Sequence, residues 1–143
     1  LRCDIDLDPI DGPTIPANGL PNSISVIDAS QVAQESGRAM TNIPSFYSTK
    51  LAYGPAVVRA VAQGMEPIAL HDPLEKTLPK IAQALGKRVP ELVVVLLNRP
   101  RHAELIATVR RCGAALRLIG DGDITAALEY AAQQSDHPVL RAH

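Results

Sequence analysis

Six consecutive apolar residues, Leu92-Val93-Val94-Val95-Leu96-Leu97, follow Glu91 without a polar interruption. A run this short has neither the helical nor the two-residue period of a half-exposed element. Its valines favour extended backbone, so it reads as a strand covered on both faces of a parallel sheet. The residues that follow supply the cover. Arg99 to Arg111 reads as a helix, Ala114 to Ile119 as a second strand, Gly120 to Asp123 as a turn, and Ile124 to about Gln133 as another helix. Strand, helix, strand, helix predicts an α/β layered unit with right-handed crossovers, whose ligand site lies at the carboxyl ends of its strands. Both strand exits are strongly polar: Asn98-Arg99-Pro100-Arg101-His102 and Asp121-Gly122-Asp123.

Upstream, Asp72 is placed to cap a helix with Pro73 in its first position. Leu74, Leu78, Ile81, Ala82 and Leu85 form its apolar stripe before Gly86 stops it. Pro55 to Gly64 reads as a shorter helix. Ser23 to Ile27 reads as a strand, expected to form a hairpin with an extended segment from Ala39 to Tyr47 after the polar Gln31 to Gly37 connection. Pro13 to Asn22 carries three prolines and a glycine and reads as a loop.

At the beginning, Cys3 to Leu7 alternates like a short strand, and Asp8-Pro9-Ile10-Asp11-Gly12 reads as a tight turn that brings the Asp8 and Asp11 carboxylates together. With the Ile10 carbonyl they offer hard oxygen ligands suited to Mg²⁺ or Mn²⁺; an ordinary surface turn uses the same dipeptides. Arg99 and Arg101, at a helix start where cations are mildly unfavourable, call for an anionic partner such as phosphate. His102 reads as a surface residue. One of Asp121 and Asp123 suffices to cap the last helix, and the other is free for sugar hydroxyls, a basic partner or a metal. Gly120 and Gly122 permit close approach of a backbone or ligand. Tyr47 and Lys50 read as ordinary rim residues.

Composition narrows the class. The 143 residues amount to one domain, with 46% hydrophobic and 20% charged residues. A net charge of -1, 3% aromatics and no Trp leave no basic field and little stacking surface for nucleic acid. Cys3 and Cys112 lie far apart without metal-ligand spacing, which fits a reducing cytoplasm, and no apolar run approaches a membrane span. The start at Leu1, almost inside the first strand and without an initiator Met, reads as a piece of something larger or a processed product.

Taken together, the sequence resembles the class II fructose-1,6-bisphosphatases, whose cyanobacterial members also act on sedoheptulose-1,7-bisphosphate. The resemblance runs from about Asp6 to about Ala131. It is carried by Asp8 to Gly12, Gly19 to Asn22, Pro44 to Lys50, Glu91 to His102 and Gly113 to Ile124, the last two being the most specific. It implies a partial αβαβα layered sandwich of the lithium-sensitive sugar-phosphatase superfamily, as a single incomplete domain over residues 1–143. It further implies hydrolysis of the 1-phosphate of a sugar bisphosphate with Mn²⁺ or Mg²⁺. By that resemblance Asp8 and Asp11, with the Ile10 main chain, are metal ligands. Gly12, Thr14, Tyr47, Arg99, Arg101, Asp121 and Asp123 contact substrate, the Tyr and arginines on phosphate and the two aspartates on the sugar. Pro13 stands where the family has Thr, Asn98 where it has Asp before Arg-Pro-Arg-His, and the connection from Asn22 to Tyr47 is longer. The family's further acidic ligands come from segments before and after this stretch. The isolated chain is therefore expected to show little or no phosphatase activity, and the alternative function is a non-catalytic relative that binds sugar phosphate or a full-length partner. Its unpaired edges predict a homo-oligomer or such an association.

Overall fold

The structure, a computed structural model, describes residues 2–32, 37–45, 47–132 and 140–142, with 130–132 and 140–142 described by their backbone alone. Its centre is β4 (Val93–Leu97). On one side β4 pairs in parallel with β5 (Ala115–Ile119), Val93 opposite Ala115 through to Leu97 opposite Ile119. On the other it meets β6 (Leu140–Ala142), also parallel, and β6 pairs antiparallel with β3 (Lys50–Ala52), giving the sheet order β3-β6-β4-β5. The apolar run and its downstream partner strand stand where the sequence places them; β3 and β6 complete the sheet beyond that reading.

The strand's pleat distributes its side chains to two layers. Val94 and Leu96 point to one face, where they pack with Val57 of α2 (Pro55–Ala62), Leu78, Ile81 and Ala82 of α3 (Leu74–Ala84) and Val109 of α4 (Ala103–Arg111). Val95 points to the other face, against Ala126 of α5 (Asp123–Ala132). Helices on both faces make the chain an α/β layered protein, and each fully buried Leu or Val here contributes about 1.5–3 kcal/mol of transfer free energy.

Four local expectations are corrected. The helix expected from Asp72 begins with Pro73 at its cap position, and no side chain caps it. Asp72 instead accepts the Ala69 N–H through Oδ2 at 3.1 Å and faces Lys76 and Lys80. Asp8 to Gly12 is no tight turn. It is the end of β1 (Cys3–Asp11), which pairs antiparallel with β2 (Ile24–Gln31) and bulges between Asp8 and Asp11. That pairing also replaces the expected hairpin between Ser23–Ile27 and 39–47. Among the described residues 39–45 and 47 there is no strand, and the Ala39 and Met40 N–H groups donate to Asp4 Oδ2 at 2.7 and 3.0 Å. The Pro13–Asn22 loop contains one helical turn, α1 (Thr14–Ala17), because Pro13 presets a helical φ of -62°. Phe46, part of the Gln31–Gly37 connection and the far end of the last helix lie outside the described residues.

No described helix is long and apolar enough to cross a membrane.

Candidate active site

The site forms where the end of the β1–β2 ribbon meets the carboxyl ends of β4 and β5. Two glycines make that meeting possible. Gly12 and Gly122 both have positive φ, +70° and +76°, and a Cβ built on Gly12 would lie 2.8 Å from the Gly122 nitrogen. Only residues without side chains allow this approach. The Ser23 hydroxyl donates to the Asp11 carbonyl at 3.1 Å and the Thr125 hydroxyl to the Asn22 carbonyl at 3.1 Å, binding ribbon, loop and α5 together.

The approach seals Asp11. The residue is buried at 7% exposure, and its Oδ2 has no hydrogen-bond partner in the structure. Burial, then the charges of Asp123, Asp8 and Asp121, raise its pKa above the ordinary carboxylate value, against a partial offset from the Thr125 main chain. Asp8 is exposed, its Oδ1 accepting the Ile10 N–H at 3.2 Å. The two carboxylates therefore share the bulged end of β1, close enough to feel each other's charge, by a bulge rather than by a turn. Among the described residues no group of three or more His, Cys, Asp or Glu side chains is arranged to hold a metal ion.

Asp121 and Asp123 serve different partners. Asp121 Oδ2 accepts the Thr14 hydroxyl at 2.6 Å and the Thr14 N–H at 3.3 Å, and Oδ1 accepts Arg99 Nη2 at 3.3 Å. Burial pushes its carboxyl up, but the Thr14 bonds, the Gly122 main chain and the Arg99 guanidinium outweigh that and hold it below the usual value. Asp123, the first residue of α5, pairs with Lys50 Nζ at 3.1 Å. The anion that Arg99 meets is thus a carboxylate of the protein itself. Arg101 stands apart from this pair, its guanidinium 4.4 Å from the ring centre of Tyr47, which is 68% exposed. A cleft of about 300 Å³ opens beside Asp121, with Thr14, Asn18, Asn22, Arg117 and Glu129 in its walls.

The structure therefore gathers Asp11, Gly12, Thr14, Arg99, Asp121 and Asp123 around one loop junction, with Asp8 at its edge, and pairs Tyr47 with Arg101. One residue beside the site differs from its reading in the sequence, and another gains a partner. Lys50 is half-exposed, as a rim residue would be, and pairs with Asp123, a partner 73 positions away that has no local signal. His102 is not at the surface: it is fully buried, with Nδ1 2.7 Å from the Leu97 carbonyl. Its position directly after an apolar strand and inside a Pro-started turn is the signal that burial could have been read from.

Comparison with known proteins identifies the family. A family described as bacterial fructose-1,6-bisphosphatase, glpX-encoded, matches residues 1–142. The chain is 37% identical over 128 residues to the D-fructose 1,6-bisphosphatase class 2/sedoheptulose 1,7-bisphosphatase of Synechococcus elongatus, covering 90% of this chain. It is 36% identical over 131 residues, 92% of this chain, to the protein of the same description from Microcystis aeruginosa. In both cases it spans only 34% of the relative's length. Matched almost from end to end, the chain belongs to the glpX-encoded bacterial fructose-1,6-bisphosphatase family.

Proposed function

We propose that the chain carries part of the active centre of a sugar-bisphosphate phosphatase, which removes the 1-phosphate of fructose-1,6-bisphosphate or sedoheptulose-1,7-bisphosphate. The observation that carries the reading is Asp11: its carboxylate has an unpartnered oxygen, its pKa is raised by burial and then by the charges of neighbouring aspartates, and a cation at this place would offset that gathered negative charge. Hard carboxylate oxygens from Asp11 and Asp8, with the Ile10 carbonyl, suit one Mn²⁺ or Mg²⁺ ion. When bound, such an ion lowers the pKa of a coordinated water and offsets the charge that develops on the phosphoryl oxygens.

The remaining residues handle the substrate. Arg99 and Arg101 supply guanidinium donors for phosphate at the exit of β4, and Thr14 and Asp121 present a hydroxyl and a carboxylate toward the sugar. The Arg99–Asp121 pair holds the guanidinium in place while phosphate is absent. Placement in an αβαβα sandwich of the lithium-sensitive phosphatases, as one domain of a cytoplasmic protein that self-associates, belongs to the same proposal.

Binding without hydrolysis is the reading for the 143-residue chain alone, because no group of three or more His, Cys, Asp or Glu side chains among the described residues is arranged to hold a metal ion. Calorimetric titration with fructose-1,6-bisphosphate and Mn²⁺, run beside an assay of phosphate release, tests both levels. Binding lost in Asp8→Ala/Asp11→Ala, with no release, is the expected result. Mn²⁺-dependent release that the double substitution abolishes would overturn the binding-only reading. A folded chain that binds neither metal nor bisphosphate would sink the site itself.

A further inference from the structure

The turn that carries Arg99 is closed by a single buried side chain. After Leu97 the backbone passes through Asn98 and Arg99 and then makes a 3-10 turn over Pro100–His102. Three hydrogen bonds bracket Arg99: its own N–H donates to the Leu97 carbonyl at 3.0 Å, the His102 N–H donates to the Arg99 carbonyl at 2.9 Å, and His102 Nδ1 lies 2.7 Å from the Leu97 carbonyl. A carbonyl oxygen only accepts, so Nδ1 carries the proton, which fixes the ring's tautomer or its cationic form. The imidazole is 0% exposed. Leu97 is the last residue of β4 and is buried, and its carbonyl accepts both the Arg99 N–H and the His102 ring within this turn.

We propose that His102 is a positioning residue for Arg99: its Nδ1–H bond to the Leu97 carbonyl sets the turn from which the guanidinium reaches Asp121. Pro100 cannot donate a main-chain hydrogen bond and Asn98 is already committed to Ile119, its N–H donating there at 2.8 Å. The imidazole is thus the side chain that ties the far end of the turn back to the strand. Rotating the turn by even a fraction of its pitch would draw Arg99 Nη2 off Asp121 Oδ1, now 3.3 Å away. The guanidinium direction, rather than its charge, is what His102 controls. The consequence for phosphate binding rests on the function proposed above; the consequence for the Arg99–Asp121 pair does not.

The test uses His102→Leu, which removes the donor, and His102→Asn, whose side-chain nitrogen occupies the place of Nδ1. In the 143-residue chain, His102→Leu is expected to shift the Arg99 guanidinium resonances. It should also weaken binding of inorganic phosphate about tenfold, the equivalent of one charge-assisted hydrogen bond. His102→Asn should return both readings to near the parent values. Unchanged Arg99 resonances in a folded His102→Leu chain overturn the proposal, as does failure of His102→Asn to restore them, since a purely space-filling role would not depend on the donor. If the parent chain binds no phosphate while the Arg99 resonances still respond, the phosphate reading falls and the positioning role stands. Should His102→Leu not fold, nitrogen-15 spectra of the parent imidazole decide: a protonated Nδ1 is required, and a ring protonated at Nε2 alone overturns it.

Discussion

Strand β4 and the β1–β2 ribbon are both rich in apolar residues, yet one is sealed and the other lies open. Val94, Val95 and Leu96 are each 0% exposed, whereas Ile5, Leu7 and Ile27 are 64, 55 and 70% exposed. Pairing is not what separates them, since both strands are fully laddered over most of their length. The difference is cover. Each crossover that brings a parallel strand beside β4 also delivers a helix to one of its faces, but an antiparallel ribbon joins its strands without delivering any layer. In the ribbon Ile5 and Leu7 share a face with Ala29 and Ile27 across the ladder, while Asp6 stands directly opposite Asp28. A two-stranded ribbon of this kind is marginal by itself. Its Asp11 end is held by the Gly12–Gly122 approach, and that held end is the one that carries the site.

Truncation in β4 should have the largest effect. Leu96→Ala is expected to cost about 3 kcal/mol or more, because the surrounding helices cannot collapse onto the void, and urea unfolding followed by circular dichroism reads it directly. A loss below about 1 kcal/mol would mean that β4 is not the sealed centre. Next is the hinge between the regions. Gly12→Ala must place a Cβ 2.8 Å from the Gly122 nitrogen on a backbone with φ of +70°, and should cost about 2 kcal/mol. It should also loosen Asp11 enough for its pKa to fall toward the ordinary carboxylate value as water enters.

How legible each region was follows from the same contrast. The run Leu92–Leu97 needs no partner to declare itself, because a short unbroken apolar run rich in β-branched valine is the mark of a strand covered on both faces. The Asp8–Gly12 segment declared a turn by composition, yet pairing with β2 stretched it into a bulged strand: a ladder formed at long range overrode local turn chemistry. The expected partner of β2 lay downstream at 39–47, and the choice between two antiparallel partners is not written in either strand. The charged residues of the site were found by motif, but their partners were not. Arg99 with Asp121 and Lys50 with Asp123 are pairings across the fold that local spacing cannot announce.

A smaller effect is expected at Asp121, whose folded-state pKa is held down by Thr14, Gly122 and Arg99 against its burial. A carboxylate with a depressed pKa contributes stability that is present above its unfolded value of about 3.9 and is lost as pH falls through the folded one. Asp121→Asn should therefore cost about 1.5 kcal/mol at neutral pH, where charge-assisted bonds are lost. The gap between the two proteins should close as pH drops below that range. Thermal unfolding at several pH values checks the sign, and a gap that widens in acid would show that Asp121 is not held as an anion.

The smallest effect on folding is expected at the open face of the ribbon. Leu7 and Ile27 are direct cross-strand neighbours, so replacing both removes one apolar pair and little else. Threonine is β-branched and suits a strand, so Leu7→Thr/Ile27→Thr should change stability by less than about 1 kcal/mol, against the large loss for one leucine in β4. The same double substitution removes the widest exposed apolar pair from that face, so sedimentation at micromolar concentration should show weaker self-association than the parent chain. If stability instead falls as far as it does in Leu96→Ala, the ribbon's face is covered in solution and the contrast between the two regions disappears. If stability holds and any self-association of the parent chain is unchanged, this face does not carry it, and the outer edges of the two-stranded ribbon become the next place to block.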